Sequence, residues 1–223
     1  MSDWKKEKLL VIDFETTGTD PDEDCIVQVG MVGMTGGEID FELTSLINPG
    51  REIPPEASEV HGIKDEDVEG QPEFWEWISE NIGNLTDRYP VAYNADFDKA
   101  FLLKACSGKL VGTMVDSIPC LREEQEWIDP MTVVKHVDKY KKGKTLVDAC
   151  ERRGIDIANA HSALDDARAT GKLLFSFSKS LPANMDDLLS KLVQRKVEQE
   201  ADFKAYKKRM LIQKQLRKKD DEK

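Results

Sequence analysis

Residues 8–18, KLLVIDFETTG, decide how this chain is built. The apolar run reads as a buried strand, and because strand side chains alternate, Leu9, Val11, Asp13 and Glu15 share one face. At a rise of about 3.3 Å per residue the backbones of Asp13 and Glu15 lie roughly 6 to 7 Å apart, so their oxygens can converge on an ion between them. Burying either carboxylate alone is costly, and burying both adds repulsion unless cations neutralise them. A divalent metal held by hard oxygen ligands resolves that conflict. A strand end open to solvent resolves it equally well, so the pair needs further acids to decide.

Working outward, CIVQVGMVGM, the turn TGG and EIDFELTSLINP read as a hairpin, with Gly36 and Gly37 supplying the positive backbone angles that close it. PPEASEVHG reads as a short helix stopped by Gly62, and QPEFWEWISENIG as a second with Phe74, Trp77 and Ile78 on one face. YPVAY is a short buried strand and DFDKAFLLKACSG a helix. TMVDS, residues 113–117, reads as a strand and TLVDACERRG as a helix stopped by Gly154. Strands alternating with helices argue for parallel pairing through crossover helices, an α/β architecture. In HSALDDARATGKLLFSFSK, Ser162 and Asp165 have capping-box spacing, and Ala163, Ala167, Thr170, Leu174 and Phe177 form a packed face.

The composition excludes several classes. With 39% hydrophobic and 34% charged residues the chain is that of a soluble globular protein. No apolar stretch is long enough to span a bilayer, and the N-terminus lacks an export signal, so no membrane association and a cytoplasmic location are expected. Cys25, Cys106, Cys120 and Cys150 are scattered without CxxC spacing, which fits reduced thiols better than disulfides or zinc. Residues 1–190 hold 20 basic and 37 acidic residues, whereas residues 191–219 hold 11 and 3. An acidic body repels polyanions and a basic tail attracts them. The expected division is a catalytic domain over 1–180 and a helical, basic extension over 181–223.

Two more acidic clusters follow. In YNADFDKAFL a strand runs into a helix, the usual position for sites in open sheets, so Asp96 or Asp98 can join Asp13 and Glu15 while the other caps the helix. In HSALDDA, His161 precedes a helix that carries Asp166 in its opening turns, which sets a loop-borne imidazole beside a fixed carboxylate. His136 reads as an exposed helical residue and His61 as ambiguous. Four acids around two Mg²⁺ or Mn²⁺ ions, with one histidine to take a proton, meet the requirements of phosphodiester hydrolysis.

Taken in order, DFETTG, NADFD before KAFL, and HSALDDA resemble the three motifs of the DEDDh exonucleases, the DnaQ-like group that includes the proofreading subunit of bacterial DNA polymerase III. The likeness runs over residues 9–178 and includes VHGI at 60–63. By position it implies that Asp13, Glu15, Asp98 and Asp166 hold two Mg²⁺ or Mn²⁺ ions and that His161 is the general base, leaving Asp96 and Asp165 outside the site. It further implies an RNase H-like fold, a mixed five-stranded sheet flanked by helices, and removal of mononucleotides from 3′ ends. The base is an imidazole, whose ordinary pKa lies near neutrality, where the sister group uses tyrosine.

The terminal nucleotide is expected against Phe14, Thr16, Thr17, Tyr93 and Asn94, with stacking that is tolerant of sequence. Phe14 alternates away from Asp13 and also suits the core, and the threonines also suit the turn. Tyr93 stands where many relatives have histidine. The substrate reading is the 3′ end of single-stranded or frayed DNA. RNA 3′-end trimming is the second reading, and a catalytically idle module that binds nucleic acid or a polymerase the third. The basic extension can grip phosphates or pack on a polymerase or other protein partner. Nothing like a clamp-binding peptide or proline-rich linker follows the domain, so a replicative polymerase subunit is not expected.

Overall fold

The strand read from KLLVIDFE is β1, Lys8–Thr16, and it pairs along its length with antiparallel β2, Ile26–Thr35. β2 pairs in turn with β3, Glu38–Leu46, through the turn where Gly36 and Gly37 take φ of 67° and 90°. On its other side β1 pairs in parallel with β4, Tyr89–Val91, over Leu9–Val11 alone. The mixed sheet therefore has the order β3-β2-β1-β4. The computed structural model describes residues 2–109 and 117–221, the side chains as far as 211.

Among the described residues the sheet has four strands, not five. Beyond β4 there is an isolated parallel bridge between Val91 and Ile128. The Ile128 amide donates to the Pro90 carbonyl at 3.0 Å, and the Ala92 amide to the Ile128 carbonyl at 3.2 Å. The ladder stops there because the next residues, Asp129 and Pro130, open a helix, and proline has no amide to continue it. The stretch read as a strand at 113–117 lies outside the described residues except for Ser117.

Among the described residues, eight α-helices surround the sheet: α1 Pro55–His61, α2 Asp65–Val68, α3 Phe74–Asn81, α4 Ala95–Cys106, α5 Pro130–Val137, α6 Leu146–Glu151, α7 Ala163–Ser176 and α8 Met185–Asp221. Strand alternation divides the core into two layers. Leu9 and Val11 of β1 face α7 and the buried start of α8, with Leu173, Leu174, Leu188 and Leu192. Leu10, Ile12 and Phe14 face α3 and α4, with Trp77, Ile78, Phe101 and Leu102. Trp4, fully buried, ties the N-terminus to the start of α8, its indole N–H donating to the Pro182 carbonyl at 2.8 Å. Asp13 and Glu15 continue the Leu9–Val11 face, so the fold aims both at α7.

The opening of α7 differs from the capping box read in the sequence. Ser162 precedes the helix but makes no side-chain cap bond. Asp165 is drawn away by stronger partners, with Arg168 Nη1 at 2.6 Å and Asn159 Nδ2 at 3.1 Å. Gln28 of β2 does the capping instead, its Oε1 accepting from the Ala163 amide at 2.9 Å. The helix can approach this closely because β2 has Gly30 there, where a Cβ would lie 2.2 Å from the Ala163 carbonyl carbon. Backbone cannot step aside cheaply, so Gly30→Ala is expected to cost about 1–3 kcal/mol. A lowered melting temperature together with lost nucleotide release checks this, because Gly30 pairs with Asp13 and faces the helix that carries Asp166.

Candidate active site

Three elements meet at the carboxyl end of β1. β4 ends at Val91, two residues short of where its pairing would reach Asp13, so the Phe14 amide has no strand partner on that side. Asp98, in the first turn of α4, accepts that amide on Oδ1 at 3.1 Å and is itself 2% exposed. The chain enters α4 through Asn94, held in the left-handed region at φ 68°, a conformation asparagine tolerates better than most residues. Asp129 fixes that entry, its Oδ1 accepting from the Asn94 amide at 3.1 Å and from the Met131 amide at 2.8 Å. Asp129 went unread in the sequence, although Asp-Pro before an apolar periodic run is a helix-start signal.

From the third element, α7, Asp166 projects toward β1. His161, on the loop just before it, has φ 68°, and its amide donates to Asp166 Oδ2 at 3.3 Å. The imidazole is exposed. Glu15, His161 and Asp166 each offer a ligand atom, and these atoms lie within 4.8 Å of one another. Asp166 Oδ1 is buried with no hydrogen-bond partner among the described residues.

The electrostatics of the cluster are strained in one direction. Burial lifts the Asp13 carboxyl well above the usual carboxylate range, and Asp98, Asp166 and Glu15 push it further. Burial and then Asp166 raise Glu15 to about 7. Burial also raises Asp98, against the pull of the Phe14 amide, and raises Asp166 against the amide and charge of His161. Four carboxyls short of water and of cationic partners, one with an orphaned oxygen, are a donor set that suits hard divalent ions.

The other two acids stand elsewhere. Asp96 pairs with Lys196 Nζ at 2.5 Å across to α8, and Asp165 belongs to the Arg168–Glu42 ion-pair network on the β3 side. Neither caps its helix by a side-chain bond.

A groove of about 370 Å³ opens beside the acids, lined by Phe14, Glu15, Thr16, Thr17, His61 and Phe97 among others. Phe14 both closes the core, edge-on to Phe74 at 5.7 Å, and shows a face to the groove. Thr17 shapes the turn after β1, donating to Asp24 Oδ1 at 3.1 Å and accepting from the Cys25 amide at 3.0 Å. His61 closes the far wall, its Nδ1 accepting from the Ile63 amide at 3.0 Å. Tyr93 and Asn94 do not line this groove. The Tyr93 hydroxyl donates to the Lys144 carbonyl, and Asn94 borders a second groove on the other side of the α4 N-terminus.

A carboxylate cluster at the end of a central strand, with a loop histidine and an adjoining groove, is a donor set suited to divalent ions on an α/β sheet. A sequence model of the RNase T exonuclease family matches residues 10–174, and the chain belongs to that family, in agreement with the DEDDh resemblance. It is 37% identical over 168 residues to the PolC-type DNA polymerase III of Thermotoga maritima and 30% identical over 179 residues to the 3′-5′ exonuclease DinG of Staphylococcus aureus. Those matches cover 75% and 80% of this chain but 12% and 19% of the relatives, so the chain corresponds to a small part of each. In the first of these the matching segment lies within a protein named for a DNA polymerase III. Among solved structures, exonuclease X in complex with 5′ overhanging duplex DNA superposes with a TM-score of 0.62 at 22% identity. That superposition covers 82% of this chain and 99% of the other.

Proposed function

We propose that the chain is a 3′-5′ exonuclease that releases nucleoside monophosphates from the 3′ ends of nucleic acid, DNA foremost. The observation that carries this is the convergence of Glu15, His161 and Asp166 within 4.8 Å, beside half-buried Asp13 and buried Asp98. Asp13, Glu15, Asp98 and Asp166 would hold two Mg²⁺ or Mn²⁺ ions, which when bound activate water and stabilise the oxygens of an in-line displacement. His161, on its loop beside Asp166, takes the proton of the attacking water. Phe14 gives a face on which the terminal base can stack without reading it, and Thr16 and Thr17 shape the end of the groove. A relative named for a DNA polymerase supports DNA over RNA.

Within this reading residues 1–180 are the catalytic unit and residues 181–223 an extension through which a polymerase or another protein can be engaged. Among the described residues no helix is long and apolar enough to cross a membrane, which goes with a cytoplasmic enzyme.

End-labelled single- and double-stranded DNA and RNA, assayed side by side with Mg²⁺ and Mn²⁺, test the reading. Mononucleotide release from DNA 3′ ends is expected, and His161→Ala should slow it about 10²- to 10⁴-fold. Faster release from RNA would make the chain a trimming ribonuclease. No metal-dependent product from any of the substrates would leave a binding module without catalysis.

A further inference from the structure

The second groove, about 570 Å³, lies between α5 and α8 and shares the α4 N-terminus with the candidate active site. Asn94 and Asp96 form its wall, while the next residue, Phe97, lines the groove beside the acids. At its base is Arg195, a residue only 8% exposed. Its Nε and Nη1 are buried with no hydrogen-bond partner among the described residues. Burial of a cation with two of its nitrogens unpartnered is costly even with Glu198 nearby, and the guanidinium fork matches phosphate geometry better than any other side chain. His136, Lys135 and Lys139 line the same groove from α5 and its C-terminal end.

We propose that this groove is a second phosphate-binding site, in which Arg195, His136 and Lys139 hold a phosphodiester of the nucleic-acid strand on the 5′ side of the nucleotide being removed. The proposal rests on the exonuclease reading for the identity of the strand. Acids line the groove as well, Asp129, Glu198 and Glu200 among them, but around His136 the cations prevail: after burial, Arg195, Lys191 and Lys139 hold its imidazole below the ordinary pKa, with Glu198 acting against them. Lys139 pairs with Asp202 at 3.1 Å and Lys196 with Asp96 at 2.5 Å. Both pairs are exposed and can be exchanged for a phosphate at little cost. Phe203, 55% exposed at the groove's edge, gives a ring on which a base can stack, which an acidic peptide would not use.

The test uses the full chain without divalent metal and fluorescence anisotropy with labelled oligothymidylates of about four and about sixteen nucleotides, the span of single-strand site sizes. Arg195→Met is expected to weaken binding of the longer strand about five- to tenfold and to lower the slope of log K against log salt by about 0.7, the change that accompanies one phosphate no longer neutralised. The shorter strand should be unaffected. Lys139→Gln, at an exposed position, should move the long-strand affinity the same way and decides the matter if the Arg195 variant does not fold. Wild-type affinity and salt slope in Lys139→Gln would overturn the proposal, as would polyglutamate competing as well as the long strand. Loss of the exonuclease reading is a separate result: wild-type chain without metal-dependent release, while long-strand binding still depends on Arg195 and Lys139.

Discussion

Asp98→Asn is expected to reduce nucleotide release by about 1,000-fold or more while leaving the metal-free fold at least as stable as the parent. The two halves of that statement have different causes. Asparagine keeps an oxygen for the Phe14 amide, now met at 3.1 Å, so the join between β1 and α4 survives. It removes one of the charges that raise Asp13, so the crowded acids repel less. What it loses is an anionic ligand, without which the remaining acids hold divalent ions weakly. Asp98→Ala adds a buried, unpaired amide at about 1–3 kcal/mol, so it confuses stability with catalysis where the asparagine variant does not. Asp96→Asn is the control: it breaks only an exposed pair with Lys196, worth about 0–1 kcal/mol, and should retain activity. Release from a labelled 3′ end and melting in chelator measure both effects. Equal losses at positions 96 and 98 would undo the assignment of Asp98.

That choice between two acids two positions apart shows how far the sequence could be read. Alternation along KLLVIDFE placed Asp13 and Glu15 on one face, and that face does meet α7. The hairpin, α1 with its left-handed Gly62, and the packed face of α7 followed from glycine position and from apolar spacing. Strand and helix periods are local properties, and they survived folding. What failed depended on partners remote in sequence. Asp165 reads as the far half of a capping box, but Arg168 and Asn159 take it, and Gln28, 135 positions from Ala163, supplies the cap. Asp129 holds the entry to α4 from 35 positions away. Tyr93 and Asn94 stand next to the second motif in sequence, and neither lines the groove of Phe14 and Phe97: the Tyr93 hydroxyl is held by the Lys144 carbonyl and Asn94 borders the groove between α5 and α8. The resemblance supplied the ordering of the three motifs; none of it announced Arg195, whose burial arises from the packing of α8 on α5.

The same crowding of acids gives the metal-free protein an inverted pH dependence. A carboxyl whose folded pKa lies above its unfolded value binds more protons when folded, so its stabilising contribution is greatest in acid and is lost as pH rises through the folded value. For Glu15 that window runs from 4.5 to about 7, and Asp13, Asp98 and Asp166 are raised in the same direction. Glu15 alone then costs at most about 3 kcal/mol above neutrality, less the screening its partial exposure allows. In a domain of this size that corresponds to several degrees of melting temperature, at about 2–4 °C per kcal/mol. Divalent ions bind the ionised carboxylates of the folded chain and stabilise it by mass action, about 2.7 kcal/mol at a hundredfold excess over Kd. The expected result is that Mg²⁺ or Mn²⁺ raises the melting temperature more at about pH 8 than at about pH 5, because protons compete for the same oxygens. Glu42, held below its ordinary pKa by its hydrogen bond from Arg168, runs the opposite way, but its window lies below 4.5 and it adds only a small background between about pH 5 and about pH 8. The difference between the parent and Glu15→Gln cancels that background. In chelator the substitution should stabilise the chain at about pH 8 and leave it nearly unchanged at about pH 5, where Glu15 is already largely protonated; a metal response equal at both pH values and retained in the variant would show that the ions are not held by Glu15.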